Sequence, residues 1–308
     1  MSADKEEEEV MQCCASCGTA GGNEIKLKDC SACHLVKYCS VKCQRDHRPK
    51  HKKVCKKRAA ELRDKLLFKQ PESSSYGECP ICCLPLSLDP SKSRLMSCCS
   101  NIVCNGCNYV NQKRELDERL QSKCPFCRKA MPKTKEEAIE QQMKRIEADD
   151  PVAMRHMGTE RYDEGDYKSA FEYYTKAAEL GNVEAHYRLS ILYGDGAGVE
   201  KDEKREMYHA EEAAIGGHPE ARHNLGCVEW RNGQYNRAVN HYIIAATLGN
   251  DLSLKGVKAQ YQAGLISKEN FAAALHGYQA SIEATKSPQR EEAYEFEKRL
   301  AERRSGAV

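Results

Sequence analysis

The arrangement of cysteines between positions 79 and 127 constrains this chain more than any other feature of its sequence. Two cysteines separated by two residues occur three times there, and an adjacent pair lies between the first and second of these. The cysteines are Cys79, Cys82, Cys98, Cys99, Cys104, Cys107, Cys124 and Cys127. A two-residue spacing bends the backbone so that both thiolates face one metal, and four thiolates at about 2.3 Å complete a tetrahedral zinc site. The segment therefore predicts two zinc sites, and the recurrence of the pairs favours a cross-brace in which alternate pairs share an ion.

With this spacing the segment resembles a RING finger. The resemblance implies that one ion is held by Cys79, Cys82, Cys104 and Cys107, and the other by Cys98, Cys99, Cys124 and Cys127. Most RING fingers have a histidine two residues after the third ligand, where this chain has Asn101 if Cys99 is counted as the third. We prefer the alternative in which Cys98 and Cys99 are the third and fourth ligands of an all-cysteine variant.

The cysteine content also indicates a compartment. Seventeen of the 18 cysteines lie between Cys13 and Cys127, and no apolar run approaches the roughly 20 residues of a membrane helix. The acidic amino terminus lacks the basic start and apolar core of a signal peptide, so we expect an intracellular protein, cytoplasmic or nuclear, that is not secreted. In a reducing compartment, clustered thiols are metal ligands more often than disulfides. Iron–sulfur ligation is the other possibility, but the Cys-Pro-x-Cys ending favours zinc.

A second metal module precedes this one. Residues 1–12 are expected to form a disordered acidic lead, and residues 13–58 contain eight further cysteine and histidine candidates. These are Cys14, Cys17, Cys30, Cys33, Cys39, Cys43, His51 and Cys55. A segment this short cannot bury enough apolar surface to fold alone. Structural zinc contributes about 10–16 kcal/mol of apparent binding free energy in small fingers, so we expect zinc to supply the folding energy.

This segment resembles a MYND finger. The resemblance implies that Cys14, Cys17, Cys39 and Cys43 bind one ion and that Cys30, Cys33, His51 and Cys55 bind another, which gives four Zn²⁺ ions for the whole chain. Cys13 could replace Cys14, although the two-residue spacing favours Cys14, and His47 is interpreted as a solvated helix residue. The family commonly has tryptophan where this chain has Arg48. That difference weakens the implied binding of proline-containing peptides and leaves zinc binding intact.

A strongly basic stretch follows the last ligand of this finger. Residues 42–69 contain 12 lysines and arginines against 3 acidic residues. Such a patch could bind nucleic acid or act as a nuclear localisation signal. No aromatic interleaving or base-reading motif accompanies the charge. We therefore interpret the patch as a solvated helix, do not expect nucleic-acid binding, and assign residues 59–77 to a linker before the RING-like finger at 78–131.

The rest of the chain is predicted to be helical and repetitive. Residues 132–150 form a connecting helix, with Ile139, Met143 and Ile146 at helical spacing. From 151 to 286, four units open at Ala153, Ala185, Ala221 and Ser253. Paired alanines followed by glycine recur at 177–181, 213–217 and 245–249. A period in the thirties with two helices per unit indicates an α-solenoid, and Cys227 is interpreted as a small buried apolar residue within it.

These repeats resemble the SEL-one-like relatives of the tetratricopeptide repeat. The pairs Met157-Gly158, Leu189-Ser190 and Leu225-Gly226 match packing positions of the first helix, and the tyrosines are interpreted as core residues. The segment 287–304 is expected to cap the stack, since end repeats need a polar outer face. The predicted fold class is therefore multi-domain: two small zinc-stabilised modules, MYND-like and RING-like, followed by an all-α helical-repeat solenoid.

Two functions fit this organisation. In the first, the protein is a RING-type ubiquitin ligase, which holds a loaded conjugating enzyme in a reactive orientation. The RING resemblance then implies that Ile81, Pro125 and Arg128 contact the conjugating enzyme, with Tyr109 and Val110 as weaker matches on the central helix. The MYND finger and repeats would recruit peptide substrates. In the alternative, the chain is a non-enzymatic scaffold whose fingers and repeats bind protein partners.

Overall fold

The computed structural model describes residues 13–304 and residue 306, so the predicted acidic lead lies outside the described part. Contacts divide the chain into two units, residues 1–69 and residues 70–308. The strands are β1 (Lys28–Asp29), β2 (Lys37–Tyr38), β3 (Ser93–Leu95) and β4 (Ile102–Cys104). The first helices are α1 (Val41–Leu67), α2 (Asn105–Asp117) and α3 (Lys135–Ile146).

The first unit is a two-stranded hairpin followed by one long helix. Strands β1 and β2 pair in antiparallel register, with Lys28 opposite Tyr38. Ser40 caps α1 by accepting the amide of Cys43 at 3.2 Å. Buried Cys14, Cys30, Cys33 and Tyr38 form the centre of this finger. A core composed mostly of thiols has little apolar area, as expected where metal provides the folding energy.

The second unit begins with the RING-like module. Strands β3 and β4 are antiparallel, with Arg94 opposite Val103, and α2 follows β4 directly. The Sγ of Cys104 caps α2 by accepting the amide of Cys107 at 3.4 Å. Met96 and Val103 are fully buried and form a hydrophobic cluster with the cysteines of this module.

Eight helices form four pairs after α3, seven of them with 12 or 13 residues and the last with 17. They are α4 (Pro151–Asp163), α5 (Tyr167–Glu179), α6 (Val183–Asp195), α7 (Glu203–Ile215), α8 (Pro219–Arg231), α9 (Tyr235–Thr247), α10 (Asp251–Gln262) and α11 (Lys268–Ala284). The recurring alanines Ala177, Ala213 and Ala245 have no exposed surface. Gly181, Gly217 and Gly249 adopt positive φ where each second helix ends. The zinc modules followed by a helical-repeat region confirm the predicted fold class.

Helix α12 (Pro288–Arg304) packs against α2 of the RING-like module, a position that the sequence did not predict. Its prediction as a cap placed it on the end of the repeat stack. In the structure the Phe296 ring packs against Tyr109 of α2, with centroids 5.1 Å apart. The residues of α2 that face α12 are an aromatic residue, a lysine and an asparagine. They contact an aromatic residue and two glutamates of α12, which explains why the helix packs there.

Candidate metal centres and interaction surfaces

Four of the cysteine pairs share one turn geometry, namely Cys14–Cys17, Cys30–Cys33, Cys79–Cys82 and Cys124–Cys127. After Cys82 and Cys127, the next residues, Cys83 and Arg128, have φ values of 55° and 64°. Their amides bond back to the carbonyl oxygens of the first cysteines, Cys79 at 2.8 Å and Cys124 at 3.0 Å. The same closure recurs in the other finger. Each turn places both Sγ atoms of its pair on one side of the backbone, as a tetrahedral metal site requires.

The first finger brings eight ligand atoms together in two groups. One consists of Cys14, Cys17, Cys39 and Cys43, and the other of Cys30, Cys33, His51 and Cys55. Helix α1 supplies Cys43, His51 and Cys55. The Sγ atoms of Cys17 and Cys39 lie 3.6 Å apart, and His51 Nε2 lies 3.2 Å from the Sγ of Cys33.

The RING-like module also brings eight ligand atoms into two groups. Cys79, Cys82, Cys104 and Cys107 form one, and Cys98, Cys99, Cys124 and Cys127 form the other. The groups combine alternate pairs along the chain, which is the cross-brace arrangement. Asn101 is in neither group, and its side-chain amide donates to the Cys99 carbonyl at 3.2 Å.

The dimensions of the groups fit zinc. Among the described residues, the ligand atoms of each of the four groups lie within 4.8 Å of one another. A tetrahedral ion with Zn–S bonds of about 2.3 Å requires S···S separations of about 3.8 Å. The separations are 3.8 Å for Cys82 and Cys104, and 3.9 Å for Cys99 and Cys124. All-cysteine and Cys₃His donor sets are those of structural zinc sites, so the residues present fit several Zn²⁺ ions.

Local hydrogen bonds prepare some of these thiols to bind metal. Burial opposes ionisation of Cys30, yet the amides of Ala32 and Cys33 lower its pKa to about 6. Burial likewise opposes ionisation of Cys14, while backbone hydrogen bonds from Cys17 and Cys39 lower its pKa to about 6. Zinc binds the thiolate form, so these amides favour the metal-binding state of Cys14 and Cys30, whereas the neighbouring thiol of Cys43 raises the pKa of Cys39 and burial raises that of Cys55.

His47 differs from its prediction as a solvated residue. It is half-buried, its Nδ1 lies 3.0 Å from the Tyr38 hydroxyl, and its ring stacks on His51 with centroids 5.6 Å apart. Positions 47 and 51 are one helical turn apart, so the rings share a face of α1. His47 therefore orients a residue of the second group, a role that the four-residue spacing alone could have suggested.

The remaining cysteines lie outside the four groups. Cys83 is exposed and occupies the left-handed position after Cys82, while Cys13 pairs with Ala20 in an isolated bridge. Cys227 is half-buried and accepts the Tyr242 hydroxyl at 3.4 Å. It is thus less buried than its interpretation as a small core residue implied.

The residues with a predicted role in docking a conjugating enzyme have different environments. Ile81 has 41% of its surface exposed and Arg128 is exposed, whereas Pro125 is buried. Arg128 donates to Asn111 Oδ1 at 3.2 Å, which places Asn111 of α2 beside it. On the same helix, the Tyr109 ring packs against Phe296, and Val110 has 39% of its surface exposed.

A basic groove runs along α1 beside the second metal group. Its volume is about 450 Å³. Arg45, Arg48, Lys52 and Lys56 contribute to its walls, and Val41, 64% exposed, lies at one end. No acidic side chain is among the described residues that line it. The groove therefore combines an apolar contact with a wall of one charge.

A second groove of about 660 Å³ lies between α6, α7 and α8 of the repeats. Its walls carry charges of both signs, including Glu203, Glu206, Lys201 and Arg231. Apolar side chains such as Ile191 and Val228 also contribute. This groove suits a peptide with mixed charges.

The RING-like module is attached to the repeats through long-range contacts. Ahead of Cys79, the amide of Ser75 donates to the Gly217 carbonyl at 3.0 Å, and the Tyr76 hydroxyl to Glu220 at 3.5 Å. Ser97 donates to Gln141 of α3 at 2.8 Å. The module and the repeats therefore form a single unit.

Comparison with protein families identifies two parts of the chain. Residues 14–55 match the model of the MYND finger. Residues 151–182, 183–218 and 219–250 each match the model of the Sel1 repeat. The predicted resemblances to the MYND finger and to the SEL-one-like repeats are thereby confirmed. MYND fingers and Sel1 repeats are modules that generally mediate protein–protein interactions.

Two curated relatives share part of this sequence. Proteins named DAP3-binding cell death enhancer 1 from Rattus norvegicus and Mus musculus are each 24% identical over 203 aligned residues. The match covers 53% of this chain, and it covers 40% of the rat protein and 39% of the mouse protein. The chain thus spans about two fifths of the length of these relatives.

Solved structures with partial similarity include a Sel1 repeat protein from Oxalobacter formigenes, 23% identical with a TM-score of 0.43. That match covers 58% of this chain and 72% of the other. The antigen c5321 of uropathogenic Escherichia coli is 25% identical with a TM-score of 0.41, covering 49% of this chain and 34% of the antigen. Among the helices within residues 13–304, none has the length and apolar character needed to cross a bilayer.

Proposed function

We propose that this protein is a zinc-stabilised scaffold that binds protein partners through its MYND finger and its repeats. The observation that carries the proposal is the basic groove on α1. Arg45, Arg48, Lys52 and Lys56 surround it, and an apolar residue is exposed at its end. An open groove with this composition is a binding surface, while the zinc groups beside it are closed structural sites without an open coordination position.

The charge of the groove defines its partner. Complementary charges steer association and exclude partners of the same sign. Since the described lining residues carry only positive charge, the groove selects an extended peptide that carries acidic residues next to an apolar one. Arg48, which stands where the family commonly has tryptophan, adds to that preference. The partner is thus an acidic peptide segment of another protein, and the mixed-charge groove of the repeats offers a second contact.

Binding of labelled acidic peptides to the full chain tests this proposal. Arg48→Glu with Lys52→Glu reverses two charges in the groove, and we expect affinity to fall by at least tenfold. Lys53→Glu with Lys57→Glu is the matched control, because it makes the same charge change on α1 at positions outside the groove lining. Equal losses in both double variants would refute a groove-specific site.

Duplex DNA serves as the alternative probe in the same assay. Phosphate contacts would give a steep fall of affinity with salt and an equal response to both double variants. That result would replace the peptide with nucleic acid as the partner. DAP3, which the curated relatives bind according to their names, provides a candidate protein for the same measurement.

A RING-type ubiquitin ligase is the second candidate function. The cross-brace grouping of the cysteines supports it, as do the exposed side chains of Ile81 and Arg128. If the module acts in this way, Ile81→Ala and Arg128→Ala abolish the acceleration of ubiquitin discharge from a loaded conjugating enzyme. Arg119→Ala is the matched control, since Arg119 is also exposed and also has positive φ. No acceleration by protein that holds its zinc would reject the ligase and leave the scaffold.

A further inference from the structure

The last helix of the chain contacts the first metal group of the RING-like module through one side chain. The Arg290 guanidinium donates from Nη2 to the Sγ of Cys82 at 3.4 Å and to the Leu84 carbonyl at 3.1 Å. Its Nη1 donates to the carbonyls of Pro85 at 2.6 Å and Thr285 at 2.7 Å. Arg290 thus hydrogen-bonds the Sγ of a metal ligand, Cys82, and the carbonyl oxygens of Leu84 and Pro85, which follow the turn between Cys79 and Cys82.

The backbone of α12 comes equally close to the module. A Cβ placed on Gly106, in the first turn of α2, would lie 2.8 Å from the backbone nitrogen of Arg290. No side chain fits at that distance, so glycine permits the contact. Gly106 immediately precedes the ligand Cys107, and the helix therefore rests on the segment that carries half of this metal group.

Further contacts extend the interface along α2. The rings of Tyr109 and Phe296 are 5.1 Å apart, Lys113 pairs with Glu292 at 3.0 Å, and Asn105 donates to Glu297 at 2.9 Å. The ion pair is about half exposed on both sides and contributes little. Arg290 is distinct among these contacts because it touches the metal group itself.

Charge explains why an arginine occupies this position. Four thiolates around one Zn²⁺ carry a net charge of about −2, and second-shell donors to ligand atoms stabilise such sites. A guanidinium supplies both a compensating charge and several donors in a fixed plane. Because Arg290 bonds both a ligand sulfur and the carbonyls of the turn that carries it, the docked helix and the turn that would hold the ion support one another.

We propose that Arg290 couples zinc in the group formed by Cys79, Cys82, Cys104 and Cys107 to docking of α12. Zinc in that group stabilises the docked helix, and by thermodynamic reciprocity the docked helix retains the ion. Arg290 is a positioning residue in this scheme. Docking of the helix then depends on whether zinc occupies this one of the four groups.

Zinc release from the full chain tests the coupling. The protein is challenged with a chelator while cysteines freed from metal are alkylated and identified by mass spectrometry. In Arg290→Ala, we expect the four cysteines of this group to become labelled 10–100-fold faster, the usual cost of losing a second-shell partner. The eleven ligand cysteines of the other three groups keep their wild-type rates. Arg299→Ala is the matched control, since the hydrogen bond of Arg299 within the described residues goes to the Glu295 carbonyl of its own helix.

Two further measurements separate coupling from general damage. Gly106→Ala leaves Arg290 intact but displaces the helix backbone, and we expect it to accelerate release from the same group. Hydrogen exchange of residues 288–304 should increase when the wild-type chain loses zinc. Either unchanged protection of that helix in the zinc-free chain, or wild-type labelling rates in both variants, would overturn the proposal. Faster labelling of all four groups together would also overturn it, because only global destabilisation gives that pattern.

Discussion

The buried imidazole of His218 donates from Nε2 to the Glu184 carboxylate at 2.7 Å, and this bond joins the first helices of two successive repeats. The other ring nitrogen, Nδ1, accepts the Ala221 amide at 3.2 Å and caps α8. The equivalent caps of α6 and α10 are Asn182 and Asn250, which accept amides at 2.9 and 2.8 Å. His218 therefore caps its helix as asparagine does in the other repeats, and it also connects two successive repeats through its bond to Glu184.

His218→Asn separates these two roles. Asparagine keeps the cap and is too short to reach Glu184, so we expect a loss of about 1.5–3 kcal/mol, the range for a hydrogen bond to a charged group. His218→Ala removes the cap as well and costs about 1 kcal/mol more. Urea unfolding followed by the fluorescence of Trp230, the single tryptophan, measures both. In a double-mutant cycle with Glu184→Gln, additive effects would disprove the link.

Two glycines of the repeats respond in opposite ways to alanine. A Cβ on Gly226 would lie 2.7 Å from the Tyr242 ring, whereas a Cβ on Gly256 of α10 meets its nearest atom at 3.8 Å. Overpacking makes Gly226→Ala destabilising by about 1–3 kcal/mol. Gly256→Ala should stabilise by about 0.5–1 kcal/mol, because alanine favours the helix. Thermal unfolding of the two variants would contradict this account if both shifted in the same direction.

The sequence was sufficient to locate the repeats because their signals are local. Paired alanines and the closing glycine recur at nearly fixed offsets, and the structure has a helix pair at each of the four units. The fourth pair ends at Ala284, two residues before the predicted end of the repeat segment at 286. Cysteine spacing is also local, and the structure groups the cysteines as the two resemblances implied.

Contacts between distant segments were not predictable in this way. Arg290 meets Cys82 across 208 positions, and no periodicity relates them. The burial of Pro125 and the partnership of Arg128 with Asn111 likewise depend on how the turn and α2 pack. The role of His47 was not predicted because the ligand spacing singles out His51, although positions 47 and 51 lie one helical turn apart on α1.

Buried and half-buried histidines should make the repeats sensitive to mild acid. Burial lowers the pKa of His156 and His209 to about 4 and that of His241 to about 3. In the unfolded chain these groups titrate near 6.5, so below that pH the unfolded state binds more protons. Stability is therefore complete above about pH 6.5 and falls as the pH decreases toward 4.

The Glu184 carboxylate affects stability in a lower pH range than the histidines do. Burial opposes its ionisation, but the hydrogen bond from His218 lowers its pKa to about 2. Its contribution is present above pH 4.5 and declines only below that value. Urea midpoints at pH 7.5, 6 and 5, read from Trp230 with excess chelator to remove the effect of zinc, test the histidine range. His209→Gln should reduce the slope, and a flat profile would contradict the assignment.

Zinc removal should unfold the fingers and spare the repeats, since metal groups dominate the core of the first finger whereas the repeats pack alanines, leucines and tyrosines. We expect metal analysis of the purified chain to give four zinc ions. After chelation, limited proteolysis should cleave within residues 14–127, while the fluorescence of Trp230 and most of the helical circular dichroism remain. Zinc added back should restore resistance, and magnesium is the matched control because it does not favour thiolate ligands. A count of two ions would mean that one finger has been assigned wrongly, and simultaneous loss of all helix would show that the repeats need metal to fold.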